Sequence, residues 1–503
     1  MTHSDTLLST VARGADERRS VGSAAQTARG DSLDLHPDRL FPADPGTRKL
    51  ARDLYATVRD LPIVSPHGHT DPQWYADDAP FPDPSALFIV PDHYVFRMLY
   101  SQGVPLEALG VPQRSGATAS GQRRYDARAI WRLFAQHYPL FRGTPTRLWL
   151  DHAFHTVFGI DERLTAESAD RYFDRIAGCL ADPAYRPRAL FERFNIEVIA
   201  TTESPLDPLE HHRRIRESGW KGRVVTAYRP DPVVDPQFEG FAANVAQFGA
   251  LTGEDTATWS GYLAAHRVRR AFFKSMGATS TDHGHPTART LDLVVAACQR
   301  LLDRALAGAI TSDEAESFRA QMLTEMARMS VDDGLVMQIH PGSFRNHNPA
   351  VFERFGRDKG ADIPMRTEYV HALKPLLDDV GNAPGFTCIL FTLDETTYAR
   401  ELAPLAGHYP ALKLGPPWWF HDSFQGMLRY LEQTIETAGF ANTAGFNDDT
   451  RAFMSIPARH DVWRRVACRF LATSVVEHRI GEDDAMELAP QLAYGLAKAT
   501  YRL

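Results

Sequence analysis

Cysteine is scarce in this chain, and its four copies, Cys179, Cys298, Cys388 and Cys468, stand far apart in no CxxC pair and no disulfide-like spacing. That absence removes a disulfide framework and suits a reducing cytoplasm, with the thiols serving as small buried hydrophobes. Basic charge is not in surplus either: 55 Lys and Arg face 63 Asp and Glu, for a formal net charge of -8. A nucleic-acid groove needs the opposite balance on one face. A small anion does not, because the fields of distant surface charges are screened beyond roughly 8 Å at physiological salt, so local arginines decide. No apolar run approaches the roughly 18 residues of a membrane span, no hydrophobic signal core opens the chain, and no self-similar stretch of about 20–50 residues recurs. The expectation is a cytoplasmic globular protein without nucleic-acid or membrane partners, with a homo-oligomer left open.

Residues 1–35 are rich in Ser, Thr, Ala, Gly, Arg and Asp without helical or strand period, and read as a disordered tail. From residue 36 the chain reads as one unit, opening with a helix from about Pro45 to Arg59 on which Leu50, Leu54 and Val58 recur at helical spacing. Eight short apolar runs follow, each ending in polar residues and most separated by room for a helix. They are Leu61 to Pro66 before His67, Ile196 to Ala200, Val224 to Tyr228 before Arg229, and a run from near Ala271 to Asp282 and His283. The last four are Leu335 to Ile339 before His340, Phe386 to Leu393 before Asp394, Leu412 to Leu414, and Ala444 to Phe446 before Asp448 and Asp449. Such alternation is the pattern of a (β/α)8 barrel of the TIM type, whose catalytic groups gather at the C-terminal ends of the strands. A bare barrel needs about 250 residues. The surplus lies mainly between the first two strands, at about 70–194, where Tyr125 to His137 and Pro145 to Phe158 carry helical apolar stripes and read as a helical insertion.

The sharpest local signal is His67-Gly68-His69. Side chains two apart on an extended chain point to the same side, so two imidazoles can share a cation, and a glycine between them lets backbone approach closely. Chance alone produces HxH among 20 histidines, so the weight comes from its place at a strand tip. Asn447-Asp448-Asp449-Thr450-Arg451 closes the eighth strand, and a carboxylate there faces the first strand across the join of a closed barrel. Two histidines and one aspartate make a metal triad. Asp449 and Arg451 share a side by spacing, and the plain alternative is a salt-bridged turn. His211-His212 reads as a capped helix surface, and Trp418-Trp419 by itself as packing at the rim.

Taken in order, Pro66-His67-Gly68-His69, Pro91-Asp92-His93-Tyr94 with Arg97, Thr201-Thr202-Glu203-Ser204-Pro205, Tyr228-Arg229-Pro230-Asp231, Ser280-Thr281-Asp282-His283-Gly284, Met337-Gln338-Ile339-His340, Arg345-Asn346-His347-Asn348, Trp418-Trp419-Phe420 and Asp449-Thr450-Arg451 form a specific set. In that set the chain resembles the uronate isomerases of the amidohydrolase superfamily, from about His36 to the C-terminus. The resemblance implies one divalent metal, zinc first with manganese or iron as competitors, surrounded by His67, His69 and Asp449 with His340 as a further neighbour. It implies a hexuronic acid substrate whose carboxylate and adjacent hydroxyl meet that metal. Asp449 then starts removal of the C2 proton on the way to a cis-enediol, and Tyr94 and Arg451 hold O1 and O2 and shuttle protons. His93, Arg229, Arg345, Trp418 and Trp419 fall to substrate binding; for Arg229 and Arg345 a barrel salt bridge is an equal alternative.

The chain departs from the family at Gly68, usually Cys, at Val95, usually Lys, at Glu203-Ser204, usually Asp-Asp, at His347, usually Asn, and at Asp448, usually Thr. The nearest rival is a metal-dependent amidohydrolase acting on a small amide or ester. Its binuclear forms use a lysine on strand 4 and a histidine after strand 6, where this chain has Lys274 early in the run and Asp394 at the tip. A sugar-acid binding protein without turnover is a third reading, since fold alone does not determine function.

Overall fold

The computed structural model describes residues 32–114 and 126–503. Nine strands lie among them: β1 (Ile63–Ser65), β2 (Ile196–Glu203), β3 (Arg223–Tyr228), β4 (Ser280–His283), β5 (Val336–Ile339), β6 (Ser343–Phe344), β7 (Ile363–Pro364), β8 (Cys388–Leu390) and β9 (Leu412–Leu414). Seven form one parallel sheet in the order β1-β2-β3-β4-β5-β8-β9. Helices in the connections return the chain to the same end each time, which is what makes neighbouring strands parallel. β6 and β7 form a separate antiparallel hairpin in the loop after β5, an element the apolar runs did not announce.

The sheet curls into a barrel through the segment expected as the eighth strand. Thr443 bridges Leu414 in parallel register, Ala444 N–H donates to Leu414 O at 2.8 Å, and on the other side His69 N–H donates to Thr450 O at 3.1 Å. No regular ladder forms there. Gly445 has φ +73°, and a Cβ on it would lie 2.5 Å from Ala497 N in the helix Leu496–Tyr501. A left-handed glycine under a helix breaks the extended run, so this stave is held by isolated bonds.

The fourth run is a correction. Ala271 to Ser275 belong to the helix Trp259–Ser275, whose buried Tyr262, Ala265, Arg269 and Phe273 follow helical spacing and whose N-terminus is capped by Thr258. The strand begins only at Ser280 and reads Ser-Thr-Asp-His, all buried. Its polar residues gave no hydrophobic signal, so the neighbouring helix was read in its place. Lys274, on that helix, donates its Nζ to Asp333 O at the protein surface, away from any strand tip.

Among the described residues, seven α-helices occupy the connection between β1 and β2, from Pro72–Asp77 to Pro187–Arg193. They share an aromatic core in which Trp131, Phe134, Tyr138, Phe141, Phe154, Phe158 and Tyr172 are buried together, apart from the cluster of Met337, Ile339, Leu390 and Leu414 in the barrel. The expected tail at 1–35 lies outside the described residues up to residue 31. Beyond that point the chain is fastened: Ser32 bridges Glu162, and Leu33 is buried and donates its N–H to Asp161 O at 2.6 Å. Tyr125, at the start of one expected insertion helix, also lies outside the described residues; that helix runs Ala127–His137.

Candidate active site

The C-terminal ends of the sheet strands open on a cavity of about 950 Å³, and every site residue expected from the sequence lines it. β1 ends at Ser65 and delivers His67 and His69, whose rings stand edge to face at 5.2 Å between centroids. The intervening backbone is held by Thr202, which donates its hydroxyl to Gly68 O at 2.9 Å. A Cβ on Gly68 would meet only ordinary contacts of 3.6–3.7 Å, so the close approach expected of a glycine is not what this position requires. From the other side of the barrel join, Asp449 turns in from the eighth stave with φ +37°, a left-handed conformation that costs a non-glycine residue energy. Its neighbour Asp448 turns the opposite way, 3.1 Å from His460 Nε2.

Asp449 Oδ1 lies 3.2 Å from His69 Nε2 and 3.5 Å from His67 Nε2, and the three residues offer donor atoms that all fall within 4.8 Å of one another. Burial opposes ionisation of Asp449, but His67 and His69 outweigh it and hold its carboxyl well below the ordinary range. Burial lowers His69 to about 4 against the pull of Asp449. A carboxylate facing a neutral imidazole is the protonation state that binds a cation, and two His nitrogens with one carboxylate are a usual zinc donor set. The residues fit a single metal ion.

His340 stands beside this triad instead of within it. Its Nε2 is 2.8 Å from Asp282 Oδ1, and its ring is 6.4 Å from that of His67 and 5.3 Å from that of Trp418. Asp282 is wholly buried; burial would raise its pKa, yet His340, His67 and Arg229 hold it well below the ordinary value. Arg229 places Nε 2.8 Å from Asp231 and Nη1 3.3 Å from Asp282, so it is both cavity wall and barrel salt bridge. Arg345 pairs with Asp362 at 2.8 Å and Arg451 with Asp358 at 3.2 Å. Arg451 Nε is buried without a hydrogen-bond partner among the described residues. His93 meets the edge of Trp419 at 4.1 Å, and burial keeps its imidazole well below the ordinary value. Tyr94 donates its hydroxyl to Asp422, 2.8 and 2.9 Å from the two oxygens.

Sequence reasoning missed Asp358 and Asp362, both carried by the unforeseen β6–β7 hairpin and its loop, and it missed Asp422 and Arg459, whose importance lies in whom they touch. Asp231 and Asp282 stood at strand tips where a role could have been assigned. His212 is a further correction: it is buried behind β2 with Nε2 2.8 Å from Thr201 Oγ1, not a capped surface, while His211 beside it is partly exposed. All four cysteines are buried and free.

The model of glucuronate isomerases matches residues 46–501. A uronate isomerase of Xanthomonas axonopodis pv. citri (strain 306) is 66% identical over 475 residues, 94% of this chain and 100% of that one. The crystal structure of glucuronate isomerase from Caulobacter crescentus superposes with a TM-score of 0.91 at 60% identity, covering 94% of this chain and 97% of the other. That of a uronate isomerase from Thermotoga maritima superposes at 0.85 with 27% identity, over 93% and 99%. The family model and these relatives span nearly the whole chain, and the chain belongs to the glucuronate isomerase family.

Proposed function

We propose that this chain interconverts D-glucuronate with D-fructuronate, D-galacturonate with D-tagaturonate, or both, in the cavity at the C-terminal mouth of the barrel. The observation that carries the reading is the convergence of His67, His69 and Asp449 in one cavity with Arg229, Arg345 and Arg451, which suits a substrate that is anionic and rich in hydroxyls. A divalent ion held by His67, His69 and Asp449, zinc by donor type ahead of manganese or iron, would supply Lewis acidity toward the substrate carboxylate and its neighbouring hydroxyl.

The protein groups do the rest. Asp449, held ionised, is the base that starts removal of the C2 proton toward a cis-enediol. Arg451, whose Nε has no hydrogen-bond partner among the described residues, meets charge developing on O1 or O2, where a fixed cation is effective. Tyr94 handles a hydroxyl proton at the same carbon pair. His93, Trp418 and Trp419 wall the cavity, and His340, anchored by Asp282, borders the metal triad as a neighbour. The buried free cysteines support a cytoplasmic setting, and no helix among the described residues is long and apolar enough to cross a membrane.

The test is ketose formation by purified, metal-analysed protein from each uronate separately, with and without a chelator. Chelator-sensitive formation of fructuronate or tagaturonate is expected and ranks the two substrates; one bound metal per chain with no ketose from either sinks the proposal.

A further inference from the structure

We propose that Asp422 is the proton acceptor at the end of a two-step relay, in which Tyr94 takes a proton from a substrate hydroxyl while passing its own to Asp422. The inference rests on the uronate isomerase reading above and adds to it the carrier of the hydroxyl proton.

Tyr94 sits in the first turn of the helix His93–Tyr100, where its N–H donates to the capping Asp92 at 2.8 Å. Its hydroxyl donates to Asp422, 2.8 and 2.9 Å from the two carboxylate oxygens, and accepts from Phe420 N–H at 3.3 Å. A phenol has one proton to donate, and here that proton is engaged. Tyr94 lines the cavity and Asp422 does not, so Tyr94 meets substrate as an acceptor. A group in that state can move a proton only if the carboxylate behind it takes one.

Asp422 is equipped to do so. It is 6% exposed, and Arg459, 2% exposed, donates Nη1 to its Oδ2 at 2.7 Å. The guanidinium is fixed in turn: Nε donates to Ser455 Oγ at 3.0 Å, Nη1 also donates to Asp448 O at 3.1 Å, and the plane lies 3.5 Å from the ring centre of Trp149. A buried carboxylate without such a partner is strongly destabilised. With it, the Asp422 carboxyl group is held one hydrogen bond from the phenol. Burial and the charge of Asp422 push the Tyr94 phenol well above its ordinary pKa, which disfavours a free phenolate. Passing the second proton on as the first arrives keeps Tyr94 neutral throughout.

The bookkeeping of the isomerisation closes on this pair. Aldose and ketose differ by one hydrogen moved from C2 to C1 and one proton moved from O2 to O1. Asp449 carries the first. For the second, the O2–H bond breaks as a new O–H bond forms on Tyr94, and the old Tyr94 O–H bond breaks as one forms on Asp422. The same steps reversed deliver the proton to O1, and no external reactant is consumed. Asp422 touches no substrate atom in this scheme and is a positioning and relay residue.

Three variants and the wild type test it in the ketose assay, with thermal unfolding and metal content measured for each. Asp422→Asn keeps an oxygen that can accept from Tyr94 and Arg459 but cannot take the proton. It is expected to lose on the order of 10²–10⁴-fold in kcat with KM, metal content and unfolding temperature near wild type, and Asp422→Glu is expected to recover a large part. A wild-type kcat in Asp422→Asn, or a loss that only follows loss of stability or metal, overturns the relay. Tyr94→Phe keeps the ring packing against Trp149 and Trp419 and tests the scheme even if the Asn variant does not fold. It is expected to lose as much as Asp422→Asn, and near-wild-type kcat in it overturns the relay and the role of Tyr94 together. An inactive Tyr94→Phe beside an active Asp422→Asn removes the relay alone, whereas a wild type that converts neither uronate removes the underlying reaction.

Discussion

Asp449 combines three pressures in one residue: a left-handed backbone, a carboxylate 3.2 and 3.5 Å from two imidazoles, and a place at the join where no regular strand forms. A base so positioned contributes roughly 10²–10⁴-fold, so Asp449→Asn is expected to lose on the order of 10³-fold in kcat, partly through weaker metal binding, as steady-state kinetics with metal analysis will read. Glu203 makes a different kind of prediction. Burial pushes its carboxyl up to about 8, against the opposing hydrogen bonds from Thr226 and Thr201. The unfolded chain releases this proton near the ordinary 4.5, so between those two values the folded state holds more protons than the unfolded one. Stability from this site is therefore greatest below the lower value, falls as pH rises through the window, and levels off above about 8. Glu203→Gln removes the titrating group; its unfolding temperature is expected to exceed that of wild type at about pH 9 and to approach it near pH 5. Histidines and an aspartate at strand tips were legible one by one in the sequence, because spacing two apart sets a shared side. Asp422 and Arg459 were not, because a lone aspartate and a helical arginine announce nothing until the fold joins them to Tyr94.

At the scale of elements, the β6–β7 hairpin governs how Arg345 and Asp358 enter the cavity. It starts after Gly342, whose φ is +87° and whose added Cβ would collide with the side chain of Thr367. A left-handed non-glycine residue costs roughly 1–2 kcal/mol, and the collision adds to it. Gly342→Ala is therefore expected to lower the unfolding temperature and to reduce kcat/KM, since Arg345 and its partner Asp362 are displaced together; unchanged kcat/KM in a folded variant contradicts the hairpin's role. Helix Pro45–Val58 was readable because Leu50, Leu54 and Val58 recur at helical spacing; the structure adds an Asp44 cap and a proline in the first turn. β4 was not, because Ser280 to His283 are polar residues buried on all sides and hydrophobic pattern cannot mark such a strand.

Across the whole molecule, the helical insertion has its own aromatic core and also supplies His93 and Tyr94 to the cavity, so its packing and the chemistry are coupled. The N-terminal segment is tied to it through Leu33. A truncation removing residues 2–35 is expected to unfold at a lower temperature than one removing residues 2–31, because burying a leucine contributes roughly 1.5–3 kcal/mol; equal unfolding temperatures would show the anchor to be idle. The sequence alone determined the barrel, the insertion, and the set of histidines, arginines, tyrosine and aspartate at the mouth, because strand and helix periods and tip positions are local properties of the chain. Only the tertiary structure decided which partner each carboxylate meets: Asp282 meets His340, Asp358 meets Arg451, and Asp422 meets Tyr94 and Arg459. Those pairs join residues from different strands, a hairpin loop and distant helices, and partners brought together by barrel closure leave no spacing for a sequence to show.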